Sequence, residues 1–408
     1  MLDAKTISIV KSTAPILAEH GETLTRHFYN RMFAHNPEVA PFFNPAHQAA
    51  GKQQRALAAA ITAYAANIDN LAVLGSAVEL IAQKHASLMI KPEHYPIVGQ
   101  NLLASIREVL GAGATDDVIN AWAAAYGFIA DILIGREKQI YEDNAKKPGG
   151  WEGFKSFRVS RKEKESSNIT SFYLVAADGT PLPRFKPGQY ITVRARTGNG
   201  TSTTMRNYSL SDKPGQGWLR ISVKREISPE ANTPAGFVSN FLHDKIDVGD
   251  TIEIAPPCGE FFLDVTEKHD RPLVLLAAGI GITPVMSILL SALEAFPKRN
   301  IILVHAALNE NVQAFSKQVT TLTKQHKNLK VYNRYSEAGN RTDASSTGLV
   351  TARYMEDLLP TRDADYYFCG PQPFMVGIYH DLIKWGIPAS QVHFEFFGPR
   401  QELEGAAA

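Results

Sequence analysis

The sequence predicts three consecutive folding units: an all-α segment over residues 1–147, an antiparallel β-barrel over 151–265, and an α/β unit with a parallel sheet over 270–408. Three observations carry that division. Up to about Ala145, Ala, Leu and Ile recur at helical spacing with little strand-like alternation. At Lys146-Lys147-Pro148-Gly149-Gly150-Trp151 a Pro-Gly-Gly run ends the helical pattern, and short alternating runs follow. Beyond Arg271, apolar strands alternate with helical stretches.

Within the first unit, Pro37, Pro41 and Pro45 punctuate an irregular stretch, Lys91-Pro92 ends a helix, and Gly111 to Asp117 connects to a long helix holding Trp122, Tyr126 and Glu137. In the second, Phe157-Arg158-Val159, Thr170 to Val175, Tyr190 to Val193 and Leu219 to Val223 read as strands, and a barrel is their natural closure. In the third, strands Leu273 to Ala278, Ile301 to His305 and Tyr366 to Cys369 alternate with helices Pro284 to Phe296 and Pro373 to Trp385, the signature of βαβ units. Pro272 to Leu290 carries no charge, but Gly279, Gly281 and Pro284 interrupt it where a membrane-spanning helix needs continuity, so it reads as a buried strand turning into a helix.

A chain of 408 residues is too long for one core, which agrees with three units. The 44% hydrophobic and 20% charged fractions are those of a globular protein, and a formal net charge of +1 offers no field to attract nucleic acid or anionic lipid. The charged N-terminal residues leave no apolar run for a secretory signal, and Cys258 and Cys369 are expected to be reduced thiols in a cytoplasmic setting.

The most diagnostic segment is Gly279-Ile280-Gly281-Ile282-Thr283-Pro284, a turn between a strand and a helix. Glycines there let backbone approach a pyrophosphate, and the helix N-terminus presents free N–H groups to it. Pro284 stands where the usual dinucleotide fingerprint has its third glycine, so an ordinary dehydrogenase is not implied. Such a turn also occurs as pure packing, but it has company: Arg206-Asn207-Tyr208-Ser209, Gly236-Phe237-Val238-Ser239, Cys369-Gly370-Pro371 and Phe396-Phe397-Gly398-Pro399. In that order the motifs resemble ferredoxin-reductase-like flavoenzymes. No Arg or Lys lies in Val304 to Glu310, where a 2′-phosphate would need one, so NADH is favoured over NADPH unless Arg334 supplies the charge.

Of twelve histidines, His85 shares a helix face with Ile81 and Leu88, the apolar setting a haem iron needs and also that of an ordinary core histidine. The order Tyr29, Phe42-Phe43, Gln53, Leu57, His85, Tyr95 and Glu137 decides between them. With His27 to Phe33, Lys91 to Gly99 and Pro148 to Gly153, it resembles the flavohaemoglobins over essentially the whole chain.

That resemblance implies a globin, an FAD-binding barrel and an NAD(P)-binding domain holding haem b, FAD and NADH or NADPH. It makes His85 the proximal iron ligand, with Tyr95 and Glu137 hydrogen-bonding its far nitrogen, an arrangement that makes the imidazole more basic and favours oxygen activation over storage. Tyr29 and Gln53 would face the distal side, where a phenol can donate to dioxygen; Leu57, one turn after Gln53, would shape access, and Phe43 would brace the haem edge. Tyr190, Arg206 to Ser209 and Phe396 to Pro399 would contact FAD, and Gly279 to Pro284 the nicotinamide dinucleotide. Lys84 and Glu395 resemble positions near the domain junction that affect the haem potential; a facing pair and a surface lysine and carboxylate with no special role are both open there. The implied activity is a monomeric nitric oxide dioxygenase, turning NO and O2 into nitrate. The alternatives are a reductase of alkyl or lipid hydroperoxides, with a lipid-sized distal pocket, and an oxygen-binding or sensing globin.

Overall fold

The computed structural model describes residues 2–44, 48, 51–197, 202–227, 235–268, 270–337 and 347–398. Its N-terminal unit contains helices α1 (Ala4–His35), α2 (Lys52–Ala66), α3 (Gly75–Ser87), α4 (His94–Leu110) and α5 (Asp116–Lys146). The ends of these helices are set locally. Asp3 caps α1 by accepting from the Thr6 N–H, and Thr115 caps α5 by accepting from Val118. Val10, Leu17, Leu24, Met32, Ile106 and Trp122 form a continuous core inside the unit. Helix α5 is long and apolar enough, by length and composition alone, to cross a membrane, yet it packs against α1, α3 and α4 within this unit.

The second unit is a six-stranded antiparallel sheet: β1 (Lys155–Lys164), β2 (Ile169–Ala176), β3 (Tyr190–Thr197), β4 (Ser202–Ser209), β5 (Leu219–Lys224) and β6 (Thr251–Ile254), in the order β4-β3-β6-β1-β2-β5. A bridge from Leu210 to Ile221 brings the far edges together, so the sheet curls toward the expected barrel. Alternate residues Phe157, Val159, Phe172, Leu174, Ile191, Val193, Ile221 and Val223 fill it. Strand β6 and helix α6 (Phe237–Lys245) lie outside the sequence-based strand list, and the Arg206 to Ser209 motif ends strand β4.

The third unit is a five-stranded parallel sheet, β7 (Leu273–Ala278), β8 (Ile301–Ala307), β9 (Leu329–Tyr335), β10 (Asp365–Cys369) and β11 (Val392–Glu395), ordered β11-β10-β7-β8-β9. Helices α7 (Ile282–Ala295), α8 (Ser316–Gln325), α9 (Ala352–Leu358) and α10 (Gln372–Lys384) connect and cover it. The apolar run from Pro272 to Leu290 is therefore β7 plus most of α7, with all six β7 residues buried, as covered parallel strands require. Order reverses between β10 and β8 across β7, so the turn after β7 lies at a topological switch point, where such sheets bind ligands.

Candidate functional site

Helix α3 presents His85 inside the first unit, where α5 and α4 supply its partners. The His85 Nδ1 lies 2.8 Å from Glu137 Oε1 and 3.1 Å from the Tyr95 hydroxyl, and the Tyr95 hydroxyl donates to the same Glu137 oxygen at 2.5 Å. Burial, reinforced by Glu137, holds the Tyr95 phenol well above its ordinary range, so the phenol keeps its proton. A carboxylate only accepts, so the hydrogen between it and the ring belongs to Nδ1. Nε2 then carries the bare lone pair. Glu137 is 2% exposed and His85 more open on its free side, which is the donor chemistry a haem iron takes.

Tyr29 of α1 stands among Phe28, Phe33 and Phe43, with ring centroids 5.0, 5.9 and 5.6 Å away. Its hydroxyl has no hydrogen-bond partner among the described residues, and burial alone pushes its pKa up. Leu57 packs on the same core, and Gln53 accepts from Gln48 at 3.0 Å. The structure thus gathers Tyr29, Phe43 and Leu57 into one apolar cluster, with Gln53 one turn before Leu57 on α2.

Arg206, on β4, points toward the first unit: its Nη2 donates to Asn44 Oδ1 at 3.0 Å, and Nη1 is held by the Met205 carbonyl at 2.6 Å. It makes no ion pair among the described residues, and burial lowers its pKa. A half-buried guanidinium without a counter-charge is matched to an anion such as a flavin phosphate. Asn207 accepts from Thr192 and reaches the Ser87 hydroxyl of α3 at 3.4 Å; Tyr208 is half-buried against the barrel core; Ser209 is buried. Tyr190 pairs with Ser209 across β3 and β4. Phe396 packs edge-on to Phe394, whereas Phe397 is 46% exposed, a large ring left open beside Gly398. Pro399 lies outside the described residues. Among these groups are a cation for phosphate and aromatic faces for an isoalloxazine, so they suit FAD.

The Gly279–Gly281 turn ends β7, and α7 begins at Ile282 without a side-chain cap. The Ile282 N–H is taken by the Gly279 and Ile280 carbonyls and Pro284 has none, so it is the glycine turn itself that would approach a pyrophosphate. A Cβ on Gly281 would stand 2.2 Å from the Cys369 carbonyl, and Gly279 has φ +55, so both positions require glycine. Pro284 falls in the first turn of α7, where its missing N–H costs no helical bond, and this accounts for its replacing the third glycine. Thr283 turns its hydroxyl back onto the Ile280 carbonyl. Arg334 stacks over the Tyr354 ring, 4.2 Å from its centroid.

Lys84 and Glu395 make no ion pair among the described residues: Lys84 Nζ sits over the Tyr190 ring, 4.6 Å from its centroid. Burial raises the pKa of Glu395, and the Lys84 charge pulls it only partly back. The Tyr190 face thus attracts the ammonium while its charge still acts on Glu395. Both cysteines are free and buried, in line with expectation.

Sequence reasoning missed Asn44, Gln83, Ser87 and His305. His305 lies within β8, is 1% exposed, and meets Gln313 across 3.4 Å; burial lowers its pKa to about 4. Only its place in the nucleotide-facing strand would have flagged it.

Family profiles match in three blocks: the globin profile over residues 26–133, the oxidoreductase FAD-binding domain over 156–263, and the oxidoreductase NAD-binding domain over 275–380. The flavohemoprotein of Oceanobacillus iheyensis is 46% identical over 403 residues, covering 99% of this chain and 98% of its own length. That of Rhodopirellula baltica is 50% identical over 410 residues, covering 99% of each. Among solved structures, the flavohemoglobin of Malassezia yamatoensis, with bound FAD and heme, superposes with a TM-score of 0.82 at 26% identity, over 97% of this chain and 100% of that one. The flavohem-like FAD/NAD-binding domain of the nitric oxide dioxygenase of Vibrio cholerae is 31% identical, with a TM-score of 0.55 over 60% of this chain and 99% of that one.

Proposed function

Because the chain belongs to the flavohemoprotein family, and is thereby an NAD(P)H-dependent oxidoreductase built on haem and FAD, we propose that it is a nitric oxide dioxygenase. In this reaction one nicotinamide hydride and two molecules each of NO and O2 give two nitrates, one proton and oxidised nicotinamide. The observation that carries the reading is the buried Glu137 bonded to both Tyr95 and His85 Nδ1, in one chain with a nicotinamide-flavin reductase. A histidine whose Nδ1–H is held by a buried carboxylate is the kind of ligand that serves turnover better than storage. The likeness to the Vibrio cholerae nitric oxide dioxygenase over the reductase half supports it.

Haem supplies an iron that changes oxidation state, and FAD supplies the step from a hydride to single electrons. The chain does the rest. Gly279 and Gly281 give the turn after β7 the close approach that the dinucleotide pyrophosphate needs, while Arg206 neutralises a flavin phosphate. Glu137, oriented by Tyr95, keeps the hydrogen on Nδ1 and so presents His85 Nε2 outward. Tyr29 aims a phenol that stays protonated into the distal space where O2 and NO meet, and its aromatic neighbours exclude water there. Leu57 and Gln53 line the approach from α2.

The test is stopped-flow absorbance of the holoprotein with NADH, first without and then with oxygen, adding NO last and assaying nitrate. Rapid NO loss with nitrate formed and NADH oxidised is expected. Haem reduction with NO persisting in oxygen would overturn the dioxygenase reading and favour hydroperoxide reduction.

A further inference from the structure

Helix α3 serves two neighbours. At about 100° per residue, Gln83, Lys84 and Ser87 share one side of it, and His85 lies about 200° around from Gln83. That outer side meets the flavin unit at three points. The Gly259 N–H donates to Gln83 Oε1 at 2.9 Å, Lys84 covers the Tyr190 ring, and Asn207 reaches Ser87.

The Gln83 contact is built into a longer chain. Gln83 Nε2 donates to Glu79 Oε1 at 2.8 Å, one helical turn earlier, and Arg136 of α5 grips both Glu79 oxygens at 2.6 and 2.8 Å. Arg136 is the residue before Glu137, the partner of His85. In the flavin unit, Gly259 follows Cys258, whose backbone exchanges two hydrogen bonds with Tyr190, at 2.9 and 3.0 Å. A Cβ on Gly259 would stand 2.9 Å from the Tyr190 ring, and its φ is +116, so this close approach needs glycine. One carboxamide therefore joins the helix that carries His85 to the loop against which Tyr190 rests.

We propose that Gln83 is a positioning residue, latching the 258–260 loop of the flavin unit to the proximal helix and thereby fixing the flavin-to-haem separation for electron transfer. The inference rests on the electron route given under the proposed function. Neither bond touches the nucleotide turn, so the latch governs the second transfer and not the first.

The experiment compares full-length holoprotein with Gln83→Met, which keeps the shape and loses both bonds, and with Gln83→Glu, which keeps the acceptor for Gly259. Anaerobic stopped flow with NADH separates flavin reduction from haem reduction, with and without added viscogen. For Gln83→Met, flavin reduction should stay within twofold of the parent, while haem reduction falls by about tenfold or more and becomes viscosity-dependent. Gln83→Glu keeps the acceptor for Gly259 but sets a second carboxylate against Glu79, so it should recover part of the rate and not all of it. Hydrogen exchange should show the amides of 257–261 opening faster in Gln83→Met only, a readout independent of turnover. Haem reduction at the parental rate in Gln83→Met, or an equal fall in both transfers, would overturn the latch. A parent that reduces its flavin and never its haem would instead overturn the electron route on which the latch depends.

Discussion

Replacing Glu137 by Gln tests the proximal arrangement with almost no change of shape. Glu137 is 2% exposed and accepts from both His85 Nδ1 and the Tyr95 hydroxyl. A hydrogen bond to a buried charged acceptor contributes roughly 1.5–3 kcal/mol, and a neutral one about 0.5–1.5. The substitution should therefore remove about 1–1.5 kcal/mol from the bond that makes the imidazole basic, close to a tenfold change in an equilibrium constant. Both groups meet the same Glu137 oxygen, so the Gln carbonyl can still accept from each, and what the substitution removes is the charge. Haem affinity or NO turnover should fall by about 10- to 100-fold, the usual consequence of losing the orienting partner of a metal-bound histidine. Resonance Raman of the ferrous protein should show the iron–histidine stretch moving to lower frequency. Anaerobic flavin reduction by NADH should not change, since the nucleotide turn after β7 is in a different unit. An unshifted stretch together with unchanged turnover would refute the claim that Glu137 controls the basicity of His85.

Other outcomes follow from the same geometry. Arg206→Ala removes the uncompensated guanidinium on β4 and should weaken FAD retention by at least about tenfold, measured by flavin content after gel filtration; full retention would exclude it as the phosphate partner. Tyr29→Phe removes a buried hydroxyl that has no described partner, so thermal stability should hold or rise while the oxygen dissociation rate increases about tenfold in flash photolysis; a large loss of stability would contradict that placement. His305 is neutral in the fold, with its pKa lowered by burial to about 4 from 6.5. The unfolded chain therefore takes up its proton first. His305 contributes stability in full above pH 6.5, and that contribution declines as the pH falls toward 4, by about 3 kcal/mol in all. In urea unfolding at pH 7 and pH 4.5, His305→Gln should lose less stability than the parent on acidification, and equal losses would refute the assignment.

Local rules written in the residues determined the order of units. Pro148-Gly149-Gly150 cannot continue a helix, the barrel strands alternate with period two, and β7 is apolar throughout because both its faces are covered. Strand β9 escaped notice because it lies at the sheet edge, where Lys330 is exposed and Asn333 and Arg334 only partly covered, which blurs the apolar run that marked its neighbours. Strand β6 is four residues long and paired on both sides, too short for its own pattern. At the site, the sequence by itself determined His85, Tyr95, Glu137 and Tyr29 as residues through family order, and the glycines after β7 through backbone need. What only the tertiary structure decided is which groups meet. Glu137 and His85 are 52 positions apart, Gln83 and Gly259 are 176 apart, and Lys84 lies over the face of Tyr190. Periodicity reports the side of an element on which a residue lies, whereas contacts between units depend on how whole elements pack, and that is fixed by burial summed over the cores.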